Sequence, residues 1–127
     1  MRKIIATEHA PRAVGPYSQA IGAGDLVFCS GQIGIEPGSG QLAGPGAREQ
    51  ATQCINNLRA VLEAAGLGLG DVVKTTVFHT DMGEFSAVNE AYASLFTTDP
   101  PARSAVAVAS LPKGAKVEIE AIAVRRS

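Results

Sequence analysis

Between positions 47 and 66, apolar residues recur at Ala51, Cys54, Ile55, Leu58, Val61, Leu62 and Ala65, spaced three and four apart, and Gly66 follows them. That spacing places them on one face of a helix, which the glycine stops. Residues 71–80 are instead rich in Val, Thr and Phe and read as a strand. Asp81, with Glu84 three residues later, matches a capping box opening a second helix. Phe85, Val88, Asn89, Tyr92, Leu95 and Phe96 share the inward stripe of that helix, so Asn89 is a polar residue among core positions. An amide there is expected to tie helix to strand.

The remaining segments are β-prone and punctuated by turns. Lys3-Ile4-Ile5-Ala6 forms a short run, Pro11 and Pro16 break regular structure, and Gly22-Ala23-Gly24-Asp25 reads as a hairpin turn joining strands 17–21 and 26–33. A loop rich in Gly and Pro fills 36–45. Asp99-Pro100-Pro101 ends the second helix, and strands 103–110 and 116–124 flank Leu111-Pro112-Lys113-Gly114. The order is β-β-β-α-β-α-β-β, which predicts an α+β domain over 1–127 with two helices on one face of a mixed sheet. Ala105-Val106-Ala107-Val108-Ala109 and Ala121-Ile122-Ala123-Val124 are apolar on both faces. Two helices can cover only one side, so another copy of the chain is expected to bury the other, most simply in a closed ring.

Composition narrows the class. The chain has 127 residues, 46% of them hydrophobic and 18% charged, which suits one domain with a single core. A net charge of -1 supplies no positive field for non-specific binding to nucleic acid or an anionic membrane. No apolar run approaches the roughly 18 residues of a membrane span. Cys29 and Cys54 are the only cysteines and have neither metal-ligand nor disulfide spacing, so a reducing cytoplasm is the expected setting.

Few side chains carry chemistry. Arg103 follows Pro101-Ala102 and begins a stretch whose next six residues hold no charge. Its planar guanidinium needs an anion, either a protein acid in a structural ion pair or a ligand carboxylate. Glu118 and Glu120 alternate with Val117, Ile119 and Ala121, so they share a face. Glu120 lies deeper in the apolar run, where a carboxylate is either paired or raised in pKa and is suited to handling a water; the alternative is a half-exposed edge acid. Tyr17, Ser30 and Gly31 sit where strands meet loops, as a packed ring, a turn hydroxyl and a bulge glycine, or as the wall of a pocket with Gly31 admitting a ligand near the backbone. His9 and His79 show no metal or dyad spacing, and His79 is expected at the surface. Cys29 is expected to be buried and inert.

Taken in order, Gly15-Pro16-Tyr17-Ser18-Gln19-Ala20, Ser30-Gly31-Gln32-Ile33, Val73-Lys74-Thr75-Thr76-Val77-Phe78, Val88-Asn89-Glu90-Ala91-Tyr92, Pro101-Ala102-Arg103-Ser104 and 117–124 cover nearly the whole chain. Together they resemble the RidA (YjgF-type) family of reactive-intermediate imine/enamine deaminases, with Pro-Ala-Arg-Ser and Glu-Ile-Glu-Ala the most specific parts. The resemblance implies a chorismate-mutase-like fold assembled as a homotrimer around a central β-barrel. It also implies clefts at subunit interfaces lined by Tyr17, Ser30, Gly31, Asn89, Arg103 and Glu120. Arg103 would grip the carboxylate of a 2-imino acid and Glu120 would position the hydrolytic water, giving a 2-keto acid and ammonia with no metal or cofactor. Two departures stand out: Ala105 occupies a position where relatives often carry cysteine, and the loop before Pro101 is shortened, with Pro100 where an aromatic is frequent. The alternatives from other classes are a non-catalytic trimeric binder of small carboxylates and an endoribonuclease or translation inhibitor. The latter finds no basic stripe and no histidine pair in this sequence.

Overall fold

The computed structural model describes residues 2–125; Met1, Arg126 and Ser127, at the ends of the expected domain, lie outside the described residues. Six strands and two helices follow one another in the expected order: β1 (Arg2–Ile5), β2 (Ala20–Ala23), β3 (Leu26–Ile33), α1 (Ala47–Ala64), β4 (Val72–His79), α2 (Phe85–Leu95), β5 (Ala102–Ala107) and β6 (Val117–Val124). The strands form one mixed sheet in the order β1-β2-β3-β6-β4-β5. Only β4 and β5 pair in parallel, as the crossover through α2 between them requires.

α1 buries the stripe its spacing dictates, with Ala51, Cys54, Ile55, Leu58, Val61 and Leu62 fully enclosed. Each of the larger side chains contributes about 1.5–3 kcal/mol by leaving water. The helix stops in a Schellman motif: Gly66 takes a left-handed φ of 79°, the Gly66 N–H donates to Glu63 and the Leu67 N–H to Leu62. Against α1 and α2 lie the inward residues of the sheet, Val27, Cys29, Val77, Val117, Ile119, Ala121 and Ala123.

Several local expectations are corrected. β2 begins at Ala20, which leaves Tyr17 in the preceding loop. The Asp81 carboxylate caps a single 3-10 turn, Met82–Glu84, by accepting from the Gly83 N–H at 2.8 Å. Glu84 does not close a capping box there; it accepts from Lys116 at 3.2 Å. His79 is 1% exposed rather than superficial. Thr75, Val77 and His79 alternate inward along β4, and the Phe85 ring lies against the imidazole at 5.6 Å between centroids.

The opposite face of the sheet stays open. Leu26 is 39%, Phe28 44% and Val106 43% exposed, with Ile122 and Val124 half-buried between them. β5 is an edge strand with most of its residues exposed.

Candidate functional site

The candidate residues fall into two groups on opposite faces of the sheet. Arg103 pairs in register with Thr75 of β4, whose hydroxyl meets the Tyr92 hydroxyl of α2 at 2.7 Å, so Arg103 points to the helix side. Glu120 pairs with Thr76, the next residue along β4. Successive strand residues face opposite ways, so Glu120 and Arg103 project to opposite sides and share no cleft within one chain.

On the helix side, Arg103 donates to the Asn89 carbonyl oxygen at 2.7 Å. Its guanidinium carbon lies 4.9 Å from the Tyr92 ring centre and 5.5 Å from that of Phe85. Asn89 therefore ties α2 to β5, as its place on the stripe suggested. The two rings and the amide hold the guanidinium without neutralising it: among the described residues the ion pairs are Arg48 with Glu90 and Lys116 with Glu84, and Arg103 has no acid partner. A structural ion pair is thereby excluded among the described residues, and a held, uncompensated cation at an exposed edge is suited to an external anion. His79 lies on the same side; burial first, and then the Arg103 charge, lower its pKa. Its Nε2 has no hydrogen-bond partner among the described residues.

On the open side, a cleft of about 780 Å³ is lined by Tyr17, Ser30, Gly31, Glu118 and Glu120, with Arg12, Glu36 and Lys113 also contributing. A β-bulge shapes it. Cys29 pairs with Ala121 and Gln32 with Ile119, so Ser30 and Gly31 together face the single residue Glu120. The Ser30 hydroxyl donates to the Ser18 carbonyl at 2.6 Å, and the Tyr17 hydroxyl accepts from the Val14 N–H at 3.3 Å. Both side chains thus also brace the 14–18 loop. The Glu118 carboxyl lies over Gly31, where a Cβ would fall 2.0 Å from its Oε2. Glu120 is exposed; the half-buried member of the pair is Glu118, its pKa raised by burial and then by the Glu120 charge. Sequence reasoning placed both acids on one face but chose the wrong one as the more buried, because depth in an apolar run does not tell which residue a bulge uncovers.

Cys29 and Cys54 are buried thiols, and burial pushes Cys29 up to about 12, which leaves it inert as expected. Among the described residues no cluster of His, Cys, Asp and Glu could hold a metal ion, and no helix is long and apolar enough to cross a membrane.

The geometry can be set beside known proteins. Residues 7–125 match the family described as Endoribonuclease L-PSP. The 2-iminobutanoate/2-iminopropanoate deaminase of Escherichia coli strain K12 is 51% identical, over 99% of this chain and 100% of that protein. The crystal structure of the E. coli YjgF gene product is 50% identical with a TM-score of 0.94, covering 98% of this chain and 99% of that one. E. coli TdcF with bound serine is 46% identical, also with a TM-score of 0.94 and with 98% and 99% covered. A match of this extent at about half identity shows that the chain belongs to the Endoribonuclease L-PSP family and, within it, to the RidA/YjgF-type proteins.

Proposed function

We propose that the chain is a cofactor-independent deaminase that hydrolyses 2-iminobutanoate- and 2-iminopropanoate-type enamine/imine intermediates to 2-keto acids and ammonia. The observation that carries this is Arg103, fixed by Asn89, Tyr92 and Phe85 and left without an acid. A guanidinium so placed takes the substrate carboxylate bidentately, and the cleft carboxylates supply the water-handling groups. The related deaminases support the reaction, and the serine held by TdcF supports a site for a small molecule bearing an α-carboxylate.

Because the guanidinium and the carboxylates lie on opposite faces, a complete site takes Arg103 and Asn89 from one copy and Tyr17, Ser30, Gly31 and Glu120 from another. The open apolar face of Leu26, Phe28 and Val106 supports such a partner. We place 1–127 as one chorismate-mutase-like domain in a homotrimer whose sheets enclose a central barrel, acting as a cytoplasmic hydrolase. Catalysis requires mainly orientation and charge stabilisation: about 4 kcal/mol corresponds to a thousandfold acceleration. An endoribonuclease reading gains nothing from the histidines, since His79 is sealed in the core.

The test is to generate 2-iminopropanoate in situ and follow its decay against a trapping amine. Acceleration by the protein with stoichiometric ammonia release is expected. Thermal stabilisation by a 2-keto acid with no acceleration would replace the enzyme by a binder of small carboxylates.

A further inference from the structure

The cleft of about 780 Å³ on the open face is larger than a four-carbon imino acid can fill; volumes of this order enclose ligands of drug size. Its two ends differ. Glu120 faces Ser30 and Gly31 at the bulge, Glu118 pairs with Ile33 nearer the start of β6, and the 3-10 turn Pro112–Gly114 precedes that start. Lys113 therefore lies at the end away from the bulge, with Ile35, Pro37 and Pro112 in the same wall. Arg12 lines the cleft too and borders the same neighbouring cavity as Pro37. Both cations are exposed, but their backbones are fixed. On one side of Arg12 the buried Gln19 amide donates to the Pro11 carbonyl at 2.8 Å; on the other the Val14 N–H donates to the Tyr17 hydroxyl at 3.3 Å. Lys113 is held at a left-handed φ of 57° in a turn closed by the Ala115 N–H on the Pro112 carbonyl at 3.1 Å. Neither cation has an acid partner among the described residues, whose ion pairs are Arg48 with Glu90 and Lys116 with Glu84. Glu36, the acid at this end, instead accepts from the Ser39 hydroxyl at 3.2 Å within its own loop. Two fixed, unpaired cations beyond the β6 carboxylates suit a second anionic group on the ligand.

We propose that Arg12 and Lys113 are specificity-determining residues that receive the distal carboxylate of a dicarboxylic 2-imino acid, while Arg103 of the neighbouring copy holds its α-carboxylate. This rests on the deaminase reading and deepens it by naming a substrate class. The distal carboxylate takes no part in the chemistry; it fills the part of the cleft that a four-carbon substrate leaves to water and fixes the long axis of the ligand. Exposed ion pairs are individually weak, up to about fivefold in affinity each, so the two cations together should contribute about tenfold.

The test titrates the full chain with two stable keto acids, 2-oxoglutarate and 5-methyl-2-oxohexanoate, in which an isopropyl group of the same shape replaces the distal carboxylate. The double variant Arg12→Gln, Lys113→Gln should bind 2-oxoglutarate about tenfold more weakly and 5-methyl-2-oxohexanoate within about twofold of the native protein. An equal effect on both ligands, or none on either, overturns the subsite. Should the variant fail to fold, the unsubstituted chain decides through salt. Raising the ionic strength from about 0.01 M to about 1 M weakens the α-carboxylate contact of both ligands alike, so 2-oxoglutarate should lose several-fold more affinity than its apolar analogue. Equal losses refute the distal contact. In turnover, the protein should accelerate the decay of 2-iminoglutarate generated in situ, and the double variant should raise KM for it with kcat within about twofold. A native protein that accelerates the decay of neither 2-iminoglutarate nor 2-iminopropanoate overturns the deaminase reading; one active on 2-iminopropanoate but indifferent to the distal charge overturns the subsite alone.

Discussion

Replacing Arg103 with alanine separates its work on the substrate from its work on the fold. Within the chain the side chain makes one hydrogen bond, to Asn89, and lies over two aromatic rings. At an exposed edge the hydrogen bond contributes about 1 kcal/mol and each cation–π contact about 0.5–1 kcal/mol, so the fold should survive its removal. Toward the substrate, the same group supplies a charge-assisted bidentate contact of about 1.5–3 kcal/mol, a fall of roughly 10- to 150-fold in kcat/KM. The assay follows 2-iminopropanoate generated in situ, with melting curves run in parallel. Arg103→Lys should recover only part of the loss, since an ammonium keeps the charge but not the planar fork. A well-folded Arg103→Ala that accelerates decay as fast as the unsubstituted protein would refute the assignment.

Two further outcomes concern the fold. A Cβ at Gly34 would lie 2.5 Å from the Gln50 backbone oxygen, where β3 and α1 approach, so Gly34→Ala should cost about 1–3 kcal/mol and lower the urea midpoint; an unchanged midpoint would show that the helix gives way freely. His79 has its folded pKa held below the unfolded value, so the unfolded chain binds the extra proton. Stability is therefore full above the ordinary histidine value of 6.5 and is lost as pH falls through it, until the folded group also titrates. Melting temperatures should show that loss in the native protein and a smaller one in His79→Leu, and parallel pH curves would contradict it.

The element order was legible because α1, β4 and α2 each announce their period and Gly66 marks the end of α1, whereas α2 stops at Leu95, short of the Asp99-Pro100-Pro101 expected to end it. Tyr17 was misplaced by three residues because a β-favoured ring beside a proline gives no sign that the strand waits for Ala20. His79 was misread because the end of a strand implies exposure only if nothing crosses it, and Phe85 does. The bulge at Ser30 and Gly31 was invisible for a related reason. It depends on how β3 registers with β6, nearly ninety positions away, and it is what leaves Glu120 exposed and Glu118 half-buried. The resemblance named the site residues, but the division of that set between two faces emerges only from the register of β4 with its neighbours.

That division is tested most directly by co-expressing Arg103→Ala and Glu120→Gln chains with different tags and purifying oligomers that contain both. Each variant alone should be nearly inactive. If every site joins Arg103 of one copy to Glu120 of the next, each mixed trimer holds one fully native site in three, and about one third of the native activity should return. Mixed oligomers no more active than their parents would contradict a site shared between copies.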